Sequence, residues 1–149
     1  MTNRYETELL HLGTQHDFAW LVCKGMQDDP MDLYRRLPRM QPAAPKRFLR
    51  KVELKSNGGD FPRNQMKVFD FEGIRFLAFK DLSTQTRFLA VKTACKNKPT
   101  RTQTFYLIVS GIEGKKEDEI PKGHLTRAKN RWIEVEKLIR KGELKIGGW

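Results

Sequence analysis

Several basic side chains sit where a sheet could gather them, and the chemistry they suit is phosphate chemistry. Arg75 and Arg87 stand near the starts of two neighbouring strand-like runs, Ile74-Arg75-Phe76-Leu77-Ala78-Phe79 and Arg87-Phe88-Leu89-Ala90-Val91. Lys92 continues the second run, and Lys115-Lys116 follow a third, Thr104-Phe105-Tyr106-Leu107-Ile108-Val109. If these strands are adjacent, their cations converge on one concave face, where they hold a phosphodiester and stabilise the charge that builds on it during transfer. RNA carries its own nucleophile, the 2′-hydroxyl, so cleavage needs only positioned cations and proton-transfer groups. Tyr106 and His124 are the candidates for proton transfer. The catalytic set is thus Arg75, Arg87, Lys115, Lys116, Tyr106 and His124. Lys92, with Lys96, Lys98 and Arg101 of a basic loop and Arg127 of the final helix, is assigned to RNA backbone contacts. The plainer reading of any single one of these cations is a solubilising surface charge; convergence is the claim.

Other chemistries find little support. Neither G-x-x-x-x-G-K-[ST] nor G-x-G-x-x-G occurs, so a nucleotide-phosphate cradle has no signature. His11 and His16 lie five apart, outside any H-E-x-x-H, and with Cys23 match no established ligand spacing. No G-x-S-x-G marks a serine nucleophile. No metal and no cofactor is expected.

The totals point the same way. The chain has 149 residues and a formal net charge of +11, with 38% hydrophobic and 32% charged residues. That length fits one domain with a real core. A field of that sign attracts polyanions, nucleic acid first and an acidic protein partner second. No apolar run approaches the roughly 18 residues needed to span a bilayer, and the first residues lack a secretion signal's apolar core. Cys23 and Cys95 are far apart and read as free thiols. The expectation is a cytoplasmic protein with no membrane partner.

These residues need elements to hold them. Leu9, Leu10 and Leu12 read as one face of a short helix, whereas Phe18 to Cys23 fits a strand or mid-helix equally. Asp28-Asp29-Pro30 signals a turn or a helix start, with a brief helix over 31–37 after it. Residues 35–51 carry seven cations and no acid, and Pro38, Pro42 and Pro45 prevent one long helix; a solvated cationic connector is the favoured reading. Four strands follow, broken at Glu72-Gly73, at Asp81 to Gln85 and at the basic loop, which favours an antiparallel meander. Pro121 opens a last helix whose Leu125, Ala128, Trp132, Val135 and Ile139 form one apolar stripe, and Gly142 ends it. The fold class is α+β: a small, mostly antiparallel four-stranded sheet packed by N-terminal helices and a C-terminal helix. One domain spans 1–149, with a helical, basic extension over 1–50 and the sheet plus helix over 66–140.

The pattern resembles the RelE/ParE superfamily of bacterial toxins, in particular its HigB-like, phage-derived branch. The matching pieces are Ile74-Arg75-Phe76-Leu77, Arg87-Phe88-Leu89, Leu107 to Lys116 (LIVSGIEGKK), then Ile120-Pro121 and the helix carrying Ala128. Ile112 stands where an aromatic is usual, and the loop at 92–103 is longer than typical. The resemblance implies the toxin of a type II toxin-antitoxin system: a ribosome-dependent, metal-independent endoribonuclease that cuts mRNA and stops translation. Its partners would be mRNA, the ribosome and a cognate antitoxin of the helix-turn-helix type. Two alternatives stay open, a non-catalytic nucleic-acid-binding module and a gyrase inhibitor on the same fold.

Overall fold

The computed structural model describes residues 5–60, 62, 65–94, 104–114 and 119–146. In chain order the elements are β1 (Glu6–Leu12), β2 (Asp17–Val22), α1 (Pro30–Met40), α2 (Ala44–Ser56), β3 (Met66–Phe71), β4 (Ile74–Asp81), β5 (Thr86–Ala94), β6 (Thr104–Ile112) and α3 (Lys122–Arg140). The strands form one six-stranded sheet in the order β1-β2-β6-β5-β4-β3. All neighbours run antiparallel except β2 and β6, which are parallel. The α+β class stands. The expected four-stranded sheet is corrected to six strands of mixed direction.

The two added strands come from the N-terminal stretch expected to be helical. Leu9, Leu10 and Leu12 lie on β1, where Leu9 faces Ala19 and a register shift follows before His11. That irregularity breaks the period-two alternation and leaves a spacing that imitates a helix face. The run beginning at Phe18 resolves as the strand β2, with Asp17 through Leu21 buried. A strand enclosed on both faces reads as a continuous apolar run, which is why periodicity could not classify it.

Side-chain parity divides the sheet into two cores. Phe76, Ala78, Leu89, Val91, Phe105, Leu107 and Val109 pack under α3 with Ala128, Trp132 and Val135. Leu77, Phe79, Phe88, Ala90, Tyr106 and Ile108 pack under α1 and α2 with Leu33, Leu37, Phe48 and Val52. Residues 35–51 are therefore no solvated connector. They form parts of two helices separated at residues 41–43, with Pro38 inside α1 and Pro45 in the first turn of α2. Their buried residues recur at i, i+4 (Leu33/Leu37, Ala44/Phe48/Val52), the spacing of one helix face.

The expected turns hold. Glu72 and Gly73 have φ of 47° and 87°, both left-handed, as a two-residue hairpin of matching twist requires. At the next turn one Asp81 carboxylate oxygen accepts from Ser83 Oγ (2.8 Å), Thr84 N (3.1 Å) and Thr84 Oγ1 (2.6 Å). α3 begins after Pro121 and buries Ala128, Trp132 and Val135 as anticipated. It also buries Arg131, which the apolar stripe did not include. Among the described residues no helix is long and apolar enough to cross a membrane.

Candidate nucleic-acid interface

The sheet's geometry distributes the sequence-predicted cations between two places. In an antiparallel pair the start of one strand lies beside the end of its neighbour. Arg87, near the start of β5, pairs with Lys80 near the end of β4. Arg75 lies five residues before Lys80, about 17 Å along the strand. Parity separates them further, since Arg75 shares the α1/α2 face with Leu77 and Phe79, and Arg87 shares the α3 face with Leu89 and Val91. The expectation that Arg75 and Arg87 converge is overturned. Arg75 is 73% exposed and forms an ion pair with Asp70 at 3.2 Å.

Arg87 instead joins two lysines that sequence reasoning passed over. Lys67 of β3, Lys80 of β4 and Arg87 of β5 line one cleft of about 480 Å³, over a floor that includes Phe69 and Leu125. Lys67 pairs with Ala78, and Lys80 with Arg87, so all three project to the α3 side. Arg87 is only 4% exposed, which places its charge at the base of the cleft. Among the described residues, Glu119 is the one acid in the lining. Low-dielectric walls around like charges focus a positive potential on an entering anion. The signal that could have exposed this trio is parity: Lys67 shares a face with Phe69, and Lys80 with Ala78.

The same end of the sheet meets the start of α3. Arg87 pairs with Ile112 of β6, and Leu125, in the first turn of α3, lines the cleft. Next to Leu125 stands His124, whose Nδ1 lies 2.9 Å from Asp28 Oδ2. Arg127 Nε donates to the same oxygen at 3.0 Å, and its Nη2 lies 2.9 Å from His124 Nδ1. Asp28 and His124 are mostly enclosed, with side chains 8% and 18% exposed. These three residues line a second cleft of about 570 Å³ with Arg36 and Glu113, themselves paired at 2.8 Å.

Asp28 is held firmly. Its φ of 63° is left-handed, and its carbonyl accepts from Gly111 N (3.0 Å) and Arg131 Nη1 (3.1 Å). Arg131 also donates to Val109 O at 2.8 Å and to the carbonyl of Gln27. Aspartate tolerates the left-handed region, and these bonds hold the turn that carries its carboxylate. Sequence reasoning named His124 and Arg127 but not Asp28, which arrives from a turn 96 residues away from the histidine.

Two further expectations are corrected. Tyr106 is 4% exposed and lies in the α1/α2 core, 4.9 Å from the Phe18 ring and 6.3 Å from Phe79. Burial raises its hydroxyl pKa above the ordinary value. It therefore does not serve as a proton donor beside Arg87, which occupies the opposite face. Lys92 pairs with Tyr106 and shares that face, away from the Arg87 cleft. Lys96, Lys98, Arg101, Lys115, Lys116 and Cys95 lie outside the described residues.

Compared with protein-family models, curated proteins and solved structures, the chain matches none of them.

Proposed function

We propose that the chain acts on RNA, as a translation-blocking endoribonuclease toxin of the RelE/ParE type, neutralised by a partner antitoxin. The observation that carries this reading is the cleft in which Lys67, Lys80 and Arg87 converge from three adjacent strands onto an apolar floor. A net charge of +11 supports a polyanionic target such as mRNA on the ribosome. Lys115 and Lys116 follow Ile112, the partner of Arg87, by three and four residues, as the resemblance implies for site lysines.

In this reading a phosphodiester sits over the three cations, which stabilise its extra negative charge in the transition state. The 2′-oxygen bonds to phosphorus as the bond from phosphorus to the 5′-oxygen breaks, leaving a 2′,3′-cyclic phosphate and a 5′-hydroxyl. His124 takes the 2′-hydroxyl proton, and a lysine ammonium of the cleft returns one to the departing 5′-oxygen. Asp28 fixes the imidazole, leaving Nε2 to accept the proton.

The test is induction of the chain in bacteria, with a pulse-label of protein synthesis and mapping of mRNA ends. The expected result is a rapid stop in translation with new 5′-hydroxyl ends in mRNA. Lys67→Gln/Lys80→Gln should relieve both while the protein stays folded, because Lys67 is exposed and Lys80 half-buried. RNA binding without new ends would instead assign a non-catalytic module. DNA damage with intact protein synthesis would assign gyrase.

A further inference from the structure

On the opposite face of the sheet, at the other end of β5, a second group of cations gathers around residues that the cleft does not use. Lys92 pairs with Tyr106, and Tyr106 pairs with Phe18 of β2, so one row crosses the sheet on the α2 side. His16 stands beside that row, its ring 5.0 Å from Tyr106 and edge-on to it. Lys55, from the last turn of α2, brings its Nζ over the same tyrosine at 6.0 Å. We propose that His16, Lys55 and Lys92 form a second phosphate site, a seat for the backbone of an RNA strand that also occupies the Lys67–Lys80–Arg87 cleft.

The group is built rather than accidental. The backbone N–H groups of Gln15 and His16 both donate to Ser56 O, at 2.9 and 3.0 Å, tying the loop before β2 to the end of α2. Gly13 permits that approach, because a Cβ there would collide with the carbonyl oxygens of His16 and Ser56. His16 Nδ1 shares a 2.8 Å hydrogen bond with Thr104 Oγ1, which fixes the ring and leaves Nε2 for another partner. The nearest acid in sequence, Asp17, is fully buried and accepts from Gly13 N at 2.9 Å. Arg75, on the same face, is paired with Asp70.

Burial lowers the His16 pKa, and the charges of Lys92 and then Lys55 lower it further. Two ammonium groups beside an imidazole repel one another, and an anion placed among them removes that cost. Phosphate suits the set because lysines bind it as point charges and the ring offers one N–H. Lys92 is exposed and Lys55 half-buried, so the seat is open to a long ligand. Arg87 and Lys92 are five residues apart on β5 and on opposite faces, about 17 Å along the strand. Only a strand long enough to turn round the sheet reaches both.

This inference rests on the RNA reading, and the experiment separates the two. The ligands are inorganic phosphate and 2′-O-methyl RNA, short and long, which resists the proposed cleavage. The histidine signals are followed by NMR in the intact chain, with His16 reporting the second site and His124 the first. Phosphate and long RNA should both shift His16, and Lys55→Gln/Lys92→Gln should abolish that shift while sparing His124. For long RNA, the slope of log affinity against log salt should fall by about 1.4 in that variant, since each phosphate neutralised on a single strand accounts for about 0.7. The slope for short RNA should not change, and Lys55→Arg/Lys92→Arg should restore the long-RNA slope. If long RNA shifts His124 alone, or the slope is unchanged, the second site is refuted and the first stands. If it shifts His16 alone, the second site stands and the cleft reading falls. If RNA shifts neither, both fall, even where phosphate alone moves His16.

Discussion

Arg131→Met tests whether the buried guanidinium beneath α3 holds the turn that carries Asp28. Arg131 is 5% exposed and donates to three carbonyl groups, those of Asp28 (3.1 Å), Val109 (2.8 Å) and Gln27. Methionine keeps the apolar stem and deletes every donor. Asp28 O retains Gly111 N at 3.0 Å, so it is not orphaned. Val109 falls at the β5–β6 irregularity, between Ile108 and Ser110, and has no partner in the paired register. The buried carbonyl of Val109 thus loses its arginine donor, at about 1–3 kcal/mol, while that of Gln27, an exposed residue, turns to water instead. Removing the charge gives back part of the cost of burying it. Neutral replacement of a buried charge, however, requires replacing its partners too, and here the acceptors stay. The acceptor loss wins, with a net destabilisation of about 2 kcal/mol. At a urea dependence of about 2 kcal/mol per molar, the midpoint falls by about 1 M. The Gly111 amide should also exchange faster with solvent, since its acceptor sits on the released turn. Arg131→Lys should recover only part of the loss, because one ammonium cannot span three carbonyls. A midpoint that moves by less than about 0.3 M, with Gly111 exchange unchanged, refutes this account.

Gly111→Ala would place a Cβ 2.8 Å from Leu33 Cδ2 and 3.1 Å from Pro30 Cα, so α1 must shift; a loss of about 1–3 kcal/mol is expected, read as a lower melting temperature. Stability should decline in alkali. Burial, aided by the 2.9 Å hydrogen bond to Glu134, raises the Tyr5 hydroxyl to about 12, and burial raises the Cys23 thiol to about 12. Folded, both keep their protons to that pH; unfolded, they release them near their ordinary values of 10.0 and 9.0. The native state then holds more protons than the unfolded one, so stability is complete below the lower value and falls as pH rises towards 12. Unfolding free energy measured across that range should show the fall, and a flat profile would contradict it. The Cys23 thiol should also resist alkylation at about pH 8 in the folded protein and react once urea unfolds it, with mass spectrometry as the readout.

Parts of this architecture were legible because local rules agreed with the global fold. Glu72-Gly73 is a hairpin turn by its own chemistry, and the stripe from Leu125 to Ile139 packs against one face as its period requires. Where the reading failed, a second rule competed with the first. The cations of residues 35–51 concealed an i, i+4 apolar spacing, and the prolines fitted near helix ends. On β1 an irregular register made a strand resemble a helix face. The candidate site was harder, because a one-dimensional pattern shows where a strand starts but not which neighbour lies beside it. Arg75 and Arg87 look equivalent along the chain; antiparallel pairing and side-chain parity put them at opposite ends and on opposite faces. Asp28, Lys55 and His16 carried no signal for the roles described, since each meets its partners only through the fold.

At the start of α3 the geometry states a chemical choice. His124 Nδ1 lies 2.9 Å from an acceptor, Asp28 Oδ2, and 2.9 Å from a donor, Arg127 Nη2. One nitrogen cannot satisfy both. With a proton on Nδ1 it donates to the carboxylate, the arginine keeps Asp28 through Nε, and Nε2 is a bare acceptor. With Nδ1 bare it accepts from Arg127, and the proton on Nε2 faces outward as a donor. The same three residues thus hold the ring in either tautomer, and moving between them requires no backbone motion. In the proposed cleavage the ring takes a proton at Nε2 and must release it before the next turnover, which this arrangement allows. Asp28→Asn tests it: the amide can still accept from Nδ1–H, but it no longer draws the proton there by charge. Under the proposed function, RNA cleavage by the variant should fall at least about tenfold while RNA affinity holds, and unchanged cleavage would remove His124 from the reaction.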